Sequence, residues 1–129
     1  MIRRKSDSGW DDVSVEQYKN EPGTWMDVSR RVLFESDRSQ FQVRYFEVAP
    51  NGYTSFEEHD HEHCVLVLQG SGEVYLEGDW STITEGDLVI VKSGVPHQFR
   101  NSSPGVFGIV CIVDKDRDRP RLLGNSTQE

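Results

Sequence analysis

From Arg31 to Val113 the chain is a succession of short β-rich runs, each closed by turn residues, with no 10–15-residue helical pattern between them. Residues 41–48 form one run, which Ala49-Pro50-Asn51-Gly52 is expected to stop. Residues 63–68 form another, ended by Gly70-Ser71-Gly72. Residues 73–76 and 80–84 flank Glu77-Gly78-Asp79, a hairpin signal. Residues 88–91 follow Glu85-Gly86-Asp87, and residues 97–101 and 106–113 complete the set. Strands at this spacing fold as an antiparallel barrel or sandwich, so the fold class is all-β. Residues 1–30 are polar and mixed, with a turn signal at Glu21-Pro22-Gly23 and a weak helical signal over residues 13–18.

At 129 residues the chain reads as one domain: a polar segment 1–30, a barrel core of about 31–114 and a charged tail 115–129. The tail alternates in charge through Asp114-Lys115-Asp116-Arg117-Asp118-Arg119-Pro120-Arg121, as a solvated tail or a strap over the barrel would. A net charge of −8 argues against nucleic-acid or anionic-membrane partners, and gives an anionic small molecule reason to need a local basic pocket. No apolar run approaches the roughly 20 residues of a membrane span. The opening residues lack the apolar core of a secretory signal. Cys64 and Cys111 lie in separate strand-like runs rather than a disulfide framework, which points to a reducing cytoplasm.

All four histidines fall in two short segments. The first reads Glu57-Glu58-His59-Asp60-His61-Glu62-His63 and runs straight into the apolar stretch from Cys64. The second runs from Gly86 through Gly94-Val95-Pro96-His97 to Asn101. Neutral imidazole is the commonest protein ligand for first-row transition metals, and gathering the whole supply at two strand-and-turn segments points to a metal site. The plainer alternative is a barrel whose polar residues line an empty cavity.

Gly86, Gly94, His97 and Asn101, at offsets of eight, three and four, resemble the second motif of the cupin family, with Lys92 where that motif usually carries proline. Residues 57–70 resemble its first motif. The resemblance implies a small jelly-roll barrel holding one metal ion. A reading that takes His59-x-His61 as the family's paired ligands requires a further ligand at Val65 or Leu66 and finds none. Counting back from Gly70 instead places the first motif's ligands at Glu57, His59 and His63, and the second motif supplies His97. Glu57 and His59 share a face of an extended segment, and His61 falls in the turn at the mouth. Glu57 then replaces a histidine and His63 a glutamate. Three imidazoles and one carboxylate suit Mn, Fe, Co, Ni or Zn, with Mn favoured.

Two further residues carry chemistry if the barrel forms. Cys111 would face the metal if it shares the inward face with Ile109 and Val113, whereas Cys64 has opposite parity to His63 and reads as core. Arg44 shares parity with Phe46 and Val48, and a guanidinium projecting into the cavity needs an acidic partner or an anionic substrate. Lys92 and Arg100 read as exposed. Trp10, Trp25 and Trp80 read as core or subunit cover.

Residues 43–48, the Glu57-x-His59-x-His61-x-His63 run, and Cys111 to Pro120 together resemble a cupin group that includes methylthioxylulose phosphate methylsulfurylases. That resemblance implies Cys111 as nucleophile, His61 or a metal-bound water as acid, Arg44 as phosphate anchor and a thiol such as glutathione as co-substrate. A homodimer is expected as cover for apolar outer faces. Two other classes stay open: a metal-dependent dioxygenase or sugar isomerase, and a non-catalytic small-molecule-binding module.

Overall fold

The computed structural model describes residues 1–21 and 24–124. Thirteen strands run in chain order: β1 Lys5–Ser6, β2 Gly9–Trp10, β3 Glu16–Glu21, β4 Trp25–Phe34, β5 Phe41–Tyr53, β6 Glu57–Glu58 and β7 His63–Gln69. They continue as β8 Ser71–Leu76, β9 Asp79–Thr84, β10 Leu88–Val91, β11 His97–Arg100, β12 Phe107–Asp114 and β13 Arg121–Leu122. Every pairing is antiparallel, and no helix occurs among the described residues.

The sheet curls round a core of Val48, Val65, Val67, Val74, Val91, Phe99, Phe107 and Ile109. Its spine is β5, a strand of 13 residues with β4 on one side and β12 on the other. Beyond β12 lie β7 and then β10 at the edge. At its far end β5 reaches β11 through Tyr53 and Arg100, and β11 carries β8 and β9. One strand therefore serves both walls of the cavity.

Three sequence expectations change. The Ala49-Pro50-Asn51-Gly52 segment bends β5 without ending it. Asn51 takes a left-handed φ of 68°, its N–H donates to the Asn101 carbonyl at 2.8 Å, and the Asn101 N–H returns a bond to Gly52. The sheet also begins well before Arg31, because β3 and β4 extend it beside β5. The helical signal over residues 13–18 is overridden: Val13 to Val15 carry no helix and β3 starts at Glu16. The Pro22-Gly23 part of the expected turn lies outside the described residues, as do residues 125–129 of the tail.

Two motif residues do structural work. Gly70 sits at φ 70° with the Val106 carbonyl against the place a Cβ would occupy, so only glycine fits where β7 turns into β8. Buried Asn101 donates to the Val48 and Gly105 carbonyls at 2.8 Å each, while its side-chain oxygen accepts from the Ser103 N–H and hydroxyl. It pins the turn after β11 to the spine strand.

Candidate metal centre

Alternation along β7, β11 and β12 delivers the site. On β12 the odd-numbered residues Phe107, Ile109, Cys111 and Val113 point inward, and on β7 Val65 and Val67 do the same. His63 opens β7 opposite Val113, and His97 opens β11 opposite Glu57 of β6. One ring nitrogen from each of His59, His63 and His97 comes within 4.8 Å of the others. The Glu57 carboxylate stands 3.9 Å from Nε2 of both His59 and His97, too far for a hydrogen bond. That spacing suits two ligand atoms each about 2.1 Å from a common ion. Its other oxygen accepts the Ser55 hydroxyl.

The protonation chemistry fits a divalent cation. His59 Nδ1 lies 2.8 Å from the His61 carbonyl and His97 Nδ1 lies 2.8 Å from the Val95 carbonyl, so each proton sits on Nδ1 and Nε2 keeps its lone pair. His63 Nε2 is buried without a hydrogen-bond partner. Burial holds His59 down to about 4. Burial, followed by the charges of neighbouring histidines and of Arg44, pushes His63 well below the usual imidazole range. Burial likewise lowers His97, opposed by its bond to the Val95 carbonyl. The neutral ring is the form that binds metal. A cation between these rings would give the orphaned His63 nitrogen its missing partner.

His61 lies beside this group and outside it. Its ring stacks on His59 at 3.7 Å between centroids. Its Nδ1 lies 2.8 Å from an Asp118 oxygen, and that carboxylate also accepts the backbone N–H of Asp60 and of His61. Those bonds, the Asp60 N–H first, hold the Asp118 carboxyl well below the usual range.

Asp118 comes from the tail, which crosses the cavity mouth as a strap. Arg121 reaches the Asp60 carboxylate at 3.0 Å, and Leu122 pairs with Glu57.

The cavity beneath the strap has a volume of about 280 Å³. Arg44, Glu57, His61, His63, His97 and Cys111 all line it. Cys111 Sγ lies 3.2 Å from His63 Nδ1 and receives an Arg44 N–H at 3.4 Å. Arg44 keeps its Nε buried without a partner. Burial pushes the Cys111 thiol up, and Arg44 beside it pulls the other way. In the protein alone burial is the stronger influence.

Arg100 lies off the cavity, bonded to Glu73 at 2.9 Å and stacked on Trp80 at 3.7 Å, and Lys92 is exposed. Cys64 is half-buried on the opposite face of β7 rather than in the core.

Sequence reasoning missed four contributors: Ser55, Asp118, and the strap arginines Arg117 and Arg119, which line the cavity. It also gave Trp25 no place in the pocket, whereas Trp25 forms part of the wall. For the strap, the only available signal was that so charged a segment follows the strand carrying Cys111.

A curled jelly-roll sheet with three imidazoles converging inside it defines a cupin. Residues 44–113 match the Cupin domain family, and the chain belongs to it. Over 114 residues the chain is 35% identical to a Rhodospirillum rubrum protein named 1-methylthio-D-xylulose 5-phosphate methylsulfurylase, a match covering 88% of this chain and 73% of that one. A cupin 2 conserved barrel domain protein from Rhodopseudomonas palustris superposes with a TM-score of 0.89 at 35% identity, over 95% of this chain and 86% of the other. A polyketide cyclase from Streptomyces resistomycificus does so with a TM-score of 0.82 at 27% identity, over 100% and 94% of the two chains. Two of these three relatives carry enzyme names.

Proposed function

We propose that the protein is a metal-dependent methylthiotransferase that removes the methylthio group from a 1-methylthio-ketose 5-phosphate such as 1-methylthioxylulose 5-phosphate. The observation that carries this reading is the thiol of Cys111, 3.2 Å from His63 and inside the same cavity as the imidazole cluster. The name of the Rhodospirillum relative supplies the substrate. In this reading Glu57, His59, His63 and His97 hold one divalent metal, with Mn favoured. When bound, such an ion polarises the ketone beside the reacting carbon.

The chain's own residues do the rest. Arg44 holds the phosphate through paired, charge-assisted bonds, with Arg117 and Arg119 adding positive charge at the mouth. Cys111 gives up its thiol proton to solvent in the cavity, and the sulfur attacks the substrate's methylthio sulfur. A sulfur–sulfur bond forms, the C1–S bond breaks, and its electron pair stays on the carbon next to the ketone. A proton delivered at C1, from His61 or from water beside it, gives the 1-deoxyketose phosphate. An external thiol such as glutathione then takes the methylthio group as a mixed disulfide and restores Cys111. Such a thiol co-substrate suits a reducing cytoplasm, where we expect the enzyme to work as a homodimer.

Incubating the protein with this substrate and no external thiol should leave one methylthio adduct, on Cys111, visible by peptide mass spectrometry. Cys111→Ser should keep fold and metal and lose transfer, and Cys64→Ser should keep transfer. Full turnover by Cys111→Ser would return the chain to chemistry at the metal site alone, of the isomerase, oxygenase or cyclase kind.

A further inference from the structure

The three clustered imidazoles have anchors of two kinds. His59 and His97 each point Nδ1 at a backbone carbonyl 2.8 Å away. A carbonyl only accepts, so it fixes the tautomer of both rings. For His63 the group facing Nδ1 is the Cys111 sulfur, at 3.2 Å. A thiol can accept or donate. If the sulfur accepts, the proton sits on Nδ1 and the buried, partnerless Nε2 offers its lone pair to the centre. If the thiol donates, Nε2 carries the proton and cannot ligate. Arg44 donates to the same sulfur at 3.4 Å, so the sulfur already acts as an acceptor on that side, while the direction of the His63 contact rests on where the thiol proton points.

We propose that Cys111 is the positioning residue for His63, holding that ring in its metal-binding tautomer, so that covalent change at the sulfur loosens the metal. This rests on His63 being a ligand, as proposed above, and adds a second role for the thiol. A methylthio group on Sγ turns it into a disulfide sulfur, a poorer acceptor, and must also find room against His63 and Arg44. Removing the outer partner of a ligating histidine typically weakens metal binding by about 10- to 100-fold. Coupling of binding equilibria is reciprocal. A bound metal then favours the free thiol over the methylthio adduct by the same factor, which helps the exchange that resets the enzyme.

The test measures Co(II) affinity, by visible absorption and calorimetry, with Cys64→Ser as the starting protein. Methyl methanethiosulfonate installs the adduct without substrate. The Cys111 sulfur attacks the sulfenyl sulfur, a sulfur–sulfur bond forms, methanesulfinate leaves with the electron pair of the broken S–S bond, and the thiol proton goes to solvent. Peptide mass spectrometry locates the modification.

The adduct, and separately Cys111→Ala, should bind Co(II) about 10- to 100-fold more weakly, while Cys111→Ser, whose hydroxyl can accept, stays close to the parent. Nitrogen-15 shifts of His63 in the metal-free protein should report a protonated Nδ1 in the parent and in Cys111→Ser, and a mixture of tautomers in Cys111→Ala. Parent-like Co(II) affinity in both Cys111→Ala and the adduct would overturn the proposal. Parent-like affinity in His63→Ala would instead remove the ligand assignment beneath it. A failed transfer assay bears on the proposed reaction and not on the coupling, because no readout here depends on turnover.

Discussion

The two faces of the β10–β7–β12 sheet differ by one residue step and by everything that follows from it. On the inner face Val65, Val67, Val89, Val91 and Cys111 are at most 6% exposed and wall the cavity or its core. On the outer face Leu88 and Ile90 are 54% and 58% exposed, with Leu66 paired to Leu88, and Leu68 and Ile112 also exposed on that side. An antiparallel sheet with one wet face normally alternates apolar and polar residues. This one is apolar on both sides, so the inner face has found its cover in the barrel and the outer face asks for a second surface. The inner face is thus where substitutions should change chemistry. On the outer face they should change association.

The comparison can be broken most decisively at the metal centre. His97→Ala should lose stoichiometric metal and the stabilisation that a ligand binding only the folded state provides, seen by elemental analysis and a lowered Tm. His61→Ala should retain metal. If His61→Ala loses it while Glu57→Ala keeps it, the paired ligands are His59 and His61 after all.

A smaller inner-face effect is expected from Arg44→Met. It should raise KM for the phosphorylated substrate more than it lowers kcat, the pattern of binding energy shared by ground and transition states. An unchanged KM would put the phosphate elsewhere.

On the outer face, Ile90→Lys should convert a dimer to a monomer in sedimentation velocity while leaving metal content as it was. A parent that sediments as a monomer would remove the homodimer.

The mildest test is pH. In the metal-free protein burial lowers His59 from 6.5 to about 4, so the unfolded chain binds the extra proton first as pH falls. Stability should therefore be full above about pH 6.5 and decline toward pH 4, and His59→Gln should flatten that slope in denaturant melts.

Much of this was legible in the sequence because alternation and turn chemistry are local. The runs 63–68, 88–91 and 106–113 fell on real strands, and counting back from Gly70 picked out Glu57, His59 and His63, side chains that the structure brings together with His97 of the second motif. What stayed hidden depended on tertiary context. Ala49-Pro50-Asn51-Gly52 has the composition of a stop, yet backbone bonds to Asn101, some 50 positions on, carry the strand through it. Residues 16–21 and 25–34 lack a clean alternating pattern and become sheet because β5 offers β4 an edge and β4 in turn offers one to β3. Asp118 looks like any acidic residue in a charged tail until the fold sets it against His61.

The strap has one more consequence. His63, His97 and Cys111 lie on strands of the sheet and His59 in the link between β6 and β7, whereas Arg117, Arg119 and Pro120 reach the cavity on a separate stretch tied down by Asp118 and Arg121. The roof of the pocket is thus one contiguous segment, distinct in the chain from its floor. Exchanging that segment would change what the mouth admits while the imidazoles and the thiol keep their places, so two chains with the same floor need not share a substrate.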